Sequence, residues 1–286
     1  MFPVEIKVNV EGAVDGAIRN LVRDRRDGEK REIWFAEDRF GVADGTLPLL
    51  DGGVIVRFRI GDGSDDDDLT VKLRPCEEPQ LVGHWSESTE HRKFEYRIEY
   101  DWAADRHVLA ASAVSHRRPG SLADELAPGA DAANALNDAQ RHFVSECARP
   151  GVHADRLIAL GPIASTKWSK VRLDEFKVNV ERWTAGELDF LEVSIHVEPE
   201  TGEAAESFTA RVAAAQRALH QSVERYGVKI SQRNENKTQR VLHALAEAQR
   251  ERLTGAPARR VDGPKRNQAP SKGGLTSVAG AGFEPA

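Results

Sequence analysis

Residues Asp51 to Arg74 read DGGVIVRFRIGDGSDDDDLTVKLR, and the alternation within them decides the fold. Val54, Val56, Phe58 and Ile60 hold the even positions, while Arg57 and Arg59 share the opposite face, because successive side chains of a strand point to opposite sides. After a polar turn rich in Gly and Asp the pattern resumes, with Leu69, Val71 and Leu73 on one face and Thr70, Lys72 and Arg74 on the other. This is a β-hairpin with a row of cations along one side. Its meaning depends on what those cations face.

The chain has 286 residues, enough for one large domain or two ordinary ones. Its net charge is −6, from 40 basic and 46 acidic side chains, so no global basic excess draws it to nucleic acid or anionic lipid. Any anion site must be local. Cys76 and Cys147 are the only cysteines and give neither a disulfide framework nor paired metal-ligand spacing. The N-terminus, MFPVEIKVNVEG, has no apolar signal core, and no run approaches the roughly 20 apolar residues of a membrane helix. The expectation is a soluble, cytoplasmic protein with no membrane partner and no nucleic-acid partner.

Working outward from the hairpin, Val4 to Val10 alternates strictly, with Glu5, Lys7 and Asn9 on the polar face. Glu32 to Phe35 reads as a strand that ends in the acidic pair Glu37 and Asp38. Lys93 to Tyr100, His107 to His116, Lys167 to Leu173, Phe176 to Trp183 and Leu191 to Val197 are further strands. Helical spacing or composition marks Asp15–Asp27, Ser121–Ala148, Glu203–Tyr226 and Lys237–Leu253, with a break at Gly227. After Thr254 large apolar side chains almost vanish, so residues 254–286 are expected to be a disordered tail behind a domain spanning 1–253.

The polar faces of these strands carry charges of both signs, which an antiparallel sheet with one wet face would also show. The cations, however, cluster as same-face pairs at Arg57 with Arg59, Lys72 with Arg74, and Lys170 with Arg172. A closed barrel with these faces inward has a charged lumen instead of a packed core. Cations a few ångströms apart repel by about 4 kcal/mol per pair at an effective dielectric near 20, so such a lumen calls for an anion. Carboxylates beside it suit Mg²⁺ or Mn²⁺, which bind through acidic oxygens together with phosphate.

Seven segments then fall in a telling order: Pro3-Val4-Glu5-Ile6-Lys7, Trp34-Phe35-Ala36-Glu37-Asp38, Gly53 to Arg59, Thr70-Val71-Lys72, Lys93-Phe94-Glu95, Lys170-Val171-Arg172 and Glu192-Val193-Ser194, with Asn236-Lys237-Thr238 behind them. In order and spacing they resemble the CYTH superfamily. These are the triphosphate tunnel metalloenzymes, which include class IV adenylate cyclases, thiamine triphosphatases and inorganic triphosphatases. The resemblance implies an α+β fold, an antiparallel eight-stranded β-barrel (a tunnel) with a charged lumen and covering helices. It implies that Lys7, Arg57, Arg59, Lys72, Lys170 and Arg172 bind a triphosphate. It further implies that Glu5, Glu95 and Glu192 coordinate the metal and serve catalysis, with Glu99 and Asp38 as additions. Family relatives are often dimers, which makes a homodimer an allowed assembly. Pro3, Arg97 and Ser194 stand where the family carries carboxylates.

Three readings stay open at this level: metal-dependent hydrolysis of inorganic triphosphate or of a nucleoside or thiamine triphosphate, a non-catalytic triphosphate- or nucleotide-binding module with a degenerate metal site, and a barrel interaction domain without anion chemistry. Other signals are weaker. Asp65 to Asp68 reads as a solvated turn, since an EF-hand loop from Asp62 would lack its Gly and Glu. His196 shares the polar face of Glu192 and reads more readily as a hydrogen-bonded histidine than as a ligand. The basic pieces Arg23–Arg26 and Arg259–Lys265 read as solvated surface or tail.

Overall fold

Alternation sorts the side chains into two opposite environments. In β1 (Val4–Val10), Val4, Ile6 and Val8 are buried against helices outside the sheet, while Glu5 and Lys7 project to the inner side. The structure, a computed structural model, describes residues 1–254 apart from 11, 24–26, 62–66, 92 and 232–236. The expected tail from 255 onward, with Arg259–Lys265, lies outside the described residues, as do positions 24–26 of the other basic piece.

The remaining strands are β2 (Glu29–Asp38), β3 (Val54–Gly61), β4 (Asp67–Cys76), β5 (Thr89–His91), β6 (Phe94–Ala103), β7 (Arg106–Arg117), β8 (Leu157–Leu173), β9 (Phe176–Ala185) and β10 (Leu188–Val197). They run in the order β1-β10-β9-β8-β2-β3-β4-β7-β6, and β6 pairs back onto β1 to close a ring. The short β5 sits on the same edge of β6 further along, with Thr89 opposite Tyr96. The barrel therefore has nine strands where eight antiparallel ones were expected. An odd number of strands cannot alternate direction all the way round a closed ring. One pair must be parallel, and it is β1 with β6, which sets Glu5 opposite Asp101.

Because the lumen is charged, the hydrophobic core lies between the barrel's outer face and its helices. Val56 and Phe58 of β3, Leu69 and Val71 of β4, and Ile98 of β6 pack against Phe143 and Val144 of α4 (Asp138–Cys147). On the other side, the outer faces of β1, β8, β9 and β10 meet α1 (Val14–Leu21) and α5 (Ala205–Arg225) through Leu21, Phe208, Val212 and Leu219. Each such side chain is worth about 1.5–3 kcal/mol on burial. A third cluster joins α2 (Arg39–Asp44) and α6 (Lys237–Thr254) to Phe35, Ile55 and Trp183, residues that also line the barrel's cavity. The short α3 (Pro48–Asp51) is held by Glu37, whose carboxylate accepts from the Leu49 and Leu50 amides at 2.8 and 3.0 Å.

Two elements differ from their sequence reading. The helix expected over Ser121–Ala148 is reduced to α4 and a single 3₁₀ turn at Ala132–Ala135. Pro128-Gly129, with Gly129 at φ 87°, interrupts the earlier part, and the true start signal is the reciprocal cap of Asn137 with Gln140. The acidic turn is also different, because Asp67 and Asp68 belong to β4 and are buried. Asp67 accepts from the Gly61 amide, and Asp68 turns into the lumen.

Candidate functional site: a cationic tunnel

Inward faces from β1 to β10 enclose a cavity of about 320 Å³. Among the described residues, nine Lys and Arg side chains line it against six Asp and Glu carboxylates, a surplus of three cations inside a protein of net charge −6. The charges are arranged in three groups.

The first group is knotted around Asp101, whose side chain is fully buried. Its carboxylate lies 2.6 Å from Lys7 Nζ, 3.2 Å from Lys72 Nζ and 2.5 Å from Arg74 Nε. Burial would raise the Asp101 carboxyl, but Lys72, Lys7 and Arg74 together hold it well below the usual range. Burial likewise works against the Lys7 ammonium. Glu5 and Asp101 overcome it and keep Lys7 charged.

The second group faces it from β3 and β9. Burial and then Arg59 lower the Arg57 guanidinium to about 10, and Arg57 Nε is buried with no hydrogen-bond partner. Its terminal nitrogen reaches Thr70 Oγ1 only at 3.5 Å. Arg59 stands 3.8 Å from Asp68. Glu181 lies opposite, and Lys237 at the head of α6 enters between it and Glu192, at 3.9 and 3.5 Å. Burial would raise Glu181, yet Lys237, Arg59 and Arg57 bring its carboxyl down to about 2.

The third group can hold a metal. One ligand atom each from Glu5 (β1), Glu99 (β6) and His196 (β10) lie within 4.8 Å of one another. Glu5 is also 2.7 Å from Lys7, and Glu99 is 3.2 Å from Lys72. Two carboxylates and an imidazole form a donor set that suits a divalent ion of the Mn²⁺ type better than Mg²⁺, which takes oxygen ligands almost alone.

No protein-family profile matches the sequence, and no curated protein is similar to it in sequence. Solved structures match it in fold. HpAC1 from Hippeastrum, a candidate adenylyl cyclase described by a dominant triphosphatase activity, superposes with a TM-score of 0.54 at 12% identity over 85% of this chain and 96% of its own. A candidate adenylate cyclase from Bacillus halodurans gives a TM-score of 0.46 at 12% identity over 84% and 98% of the two chains. A Pyrococcus horikoshii OT3 protein gives 0.40 at 11% identity over 80% and 94%. The chain shares its fold with HpAC1.

Within the tunnel, Glu5, Lys7, Arg57, Arg59, Lys72 and Glu192 all line the cavity. Lys170 and Arg172 do not. A β-bulge between Trp168 and Val171 shifts the register of β8, Lys170 adopts φ 56°, and both side chains are exposed on the hairpin beyond it. Lys167, before the bulge, lines the cavity instead. Glu95 is likewise outside the lining and pairs with Arg97 at 2.6 Å. Of the metal set expected from the sequence, Glu5 and the added Glu99 belong to the three-residue cluster, while Glu192 faces Lys237. Asp38 caps α2, accepting from the Gly41 amide at 2.7 Å. His196, read as a bland histidine, stands 3.8 Å from Glu99. Asp101 and Glu181 were missed altogether. Glu181 occupies an inward position of a strand whose period was legible, whereas Asp101 lies just past the Lys93–Tyr100 segment, on the continuation of β6 to Ala103.

Proposed function

We propose that the chain binds a triphosphate in its tunnel and hydrolyses it with one divalent cation. One observation carries the reading: among the described residues three surplus cations surround the cavity, one of them the half-buried Arg57, whose buried Nε has no hydrogen-bond partner. A buried guanidinium nitrogen in that state costs free energy unless an anion completes it. Arg57, Arg59, Lys72 and Lys7 are the groups offered to phosphoryl oxygens, while Asp101 fixes the Lys7 and Lys72 ammoniums in place. Charge spread over the phosphoryl oxygens in the transition state is what such a cationic wall stabilises. Glu5, Glu99 and His196 are the residues that would hold the metal, which supplies charge neutralisation of the phosphate chain and activation of water. Water adds across a terminal P–O–P bridge, and one P–O bond breaks to release phosphate. The same site in a soluble cytoplasmic setting takes a small-molecule triphosphate and needs no macromolecular partner.

A second reading, binding without turnover, is favoured by Pro3, Arg97 and Ser194, which stand where the resemblance implies carboxylates just before β1 and on β6 and β10. The test incubates the protein with inorganic triphosphate, ATP and thiamine triphosphate, with Mn²⁺ or Mg²⁺, and follows phosphate release. Release with any of the three supports hydrolysis, whereas tight triphosphate binding without release favours the binding module. Arg57→Ala with Arg59→Ala should abolish triphosphate binding in either case, and retained binding sinks the tunnel assignment.

A further inference from the structure

Glu181 and Glu192 are direct register partners on β9 and β10, both turned into the cavity. Side chains so placed have Cβ atoms about 5 Å apart, and two like charges there are destabilising. Such a pair, facing phosphate-binding cations, is a ready bidentate seat for a divalent ion. Here the seat is taken. The Lys237 ammonium stands 3.5 Å from Glu192 and 3.9 Å from Glu181, and its residue is only 9% exposed. Its third neighbour is the Trp183 ring, whose centroid lies 4.0 Å away. This is no chance approach of a surface lysine. Lys237 is the first residue of α6, and Val241 and Leu242, one turn on, anchor that helix in the apolar cluster that floors the tunnel.

We infer that Lys237 is a tethered second cation, its ammonium standing between Glu181 and Glu192 where a second divalent metal would bind, so that the tunnel loads metal only at Glu5, Glu99 and His196. Ser194 agrees with this, since it faces the lumen two residues from Glu192 and brings no third carboxylate to that seat. Among the described residues, Glu5, Glu99 and His196 form the one group of three donors close enough to share an ion. A lysine cannot exchange with solvent metal, which makes the charge on this side of the cavity permanent and independent of metal supply. The inference rests on the proposed metal-assisted reading, but its test does not.

Mn²⁺ binding is counted by calorimetry and by loss of the free Mn²⁺ resonance signal, without substrate, in the wild type, Lys237→Met, Lys237→Gln, Lys237→Arg and the double variant Lys237→Met with Glu192→Gln. The wild type should bind one ion, Lys237→Met and Lys237→Gln one more, and Lys237→Arg no more than the wild type. The extra ion should vanish in the double variant. Mn²⁺ should also raise the melting temperature of Lys237→Met and Lys237→Gln by more than that of the wild type, because it relieves the opposed carboxylates. No added ion in folded Lys237→Met and Lys237→Gln, an extra ion that survives Glu192→Gln, or two ions in the wild type overturns the inference. The increment decides this inference, whereas the wild-type count at the first site tests the metal in the proposed function.

Discussion

At the scale of single residues, Asp101 governs the tunnel. Three cations converge on one fully buried carboxylate, so Asp101→Asn leaves Lys7, Lys72 and Arg74 facing one another without it. Breaking a buried pair of this kind costs about 3–5 kcal/mol. Urea unfolding should show that loss, and saturating triphosphate should restore part of it, since the anion replaces the missing charge. The pH dependence follows from the same groups. Asp101 and Glu181 are both depressed in the fold, so the unfolded chain binds protons more readily at these positions. Their contribution is present above the unfolded carboxyl range near pH 4 and is lost as pH falls through the folded values, about 2 for Glu181. For Glu181 alone the shift corresponds to about 3 kcal/mol. Urea midpoints should therefore hold steady from pH 7 to about 5 and fall steeply below about 4. A flat profile down to pH 3 would show that these carboxylates are not held as described.

At the scale of elements, α6 both seals the tunnel floor and delivers a charge into it. Leu242 is 2% exposed within the cluster formed by α6, α2 and the barrel floor. Leu242→Ala should cost about 2–5 kcal/mol in stability by denaturant titration, and it should also weaken triphosphate binding by loosening the helix that carries Lys237. A stability loss with unchanged affinity would separate the two roles. The elements also mark where the sequence was readable. Strict alternation in 54–60 and 69–74 was enough to place Arg57, Arg59 and Lys72 on an inner wall, because period-2 patterning is a local property. Lys170 and Arg172 were misplaced for a reason equally local but invisible in composition, one extra residue in β8 that re-aims the strand. Glu95, Glu99 and Asp101 share one face of β6, and nothing in their own segment says which depth meets Lys7. That choice is made by the parallel register with β1, which brings together residues almost a hundred positions apart. The false helix at 121–136 read composition where capping decides, at Asn137.

At the scale of the molecule, two opposite fields act on an incoming polyanion. The whole chain carries −6, while the tunnel holds three surplus cations among the described residues. At low ionic strength the Debye length is about 30 Å, so the outer negative charge is felt first. At about 0.15 M it contracts to about 8 Å, and the lumen cations, being partly buried, are screened much less. Stopped-flow association of triphosphate should therefore speed up as salt rises from 10 mM toward about 150 mM, the reverse of ordinary attractive steering. A rate that falls over that range would show that the lumen cations, and not the outer negative charge, control the approach.

The parallel seam between β1 and β6 also sets the order in which a nascent chain can complete itself. Val4 needs Tyr100 on one edge and Val197 on the other before the ring is whole. β1 leaves the ribosome before both of its partners, and its unpaired edges must wait while the intervening barrel is built. Glu5 and Lys7 travel on that strand. An open ring is therefore also an incomplete site, and the newborn protein acquires its shape and its ability to grip an anion in the same step.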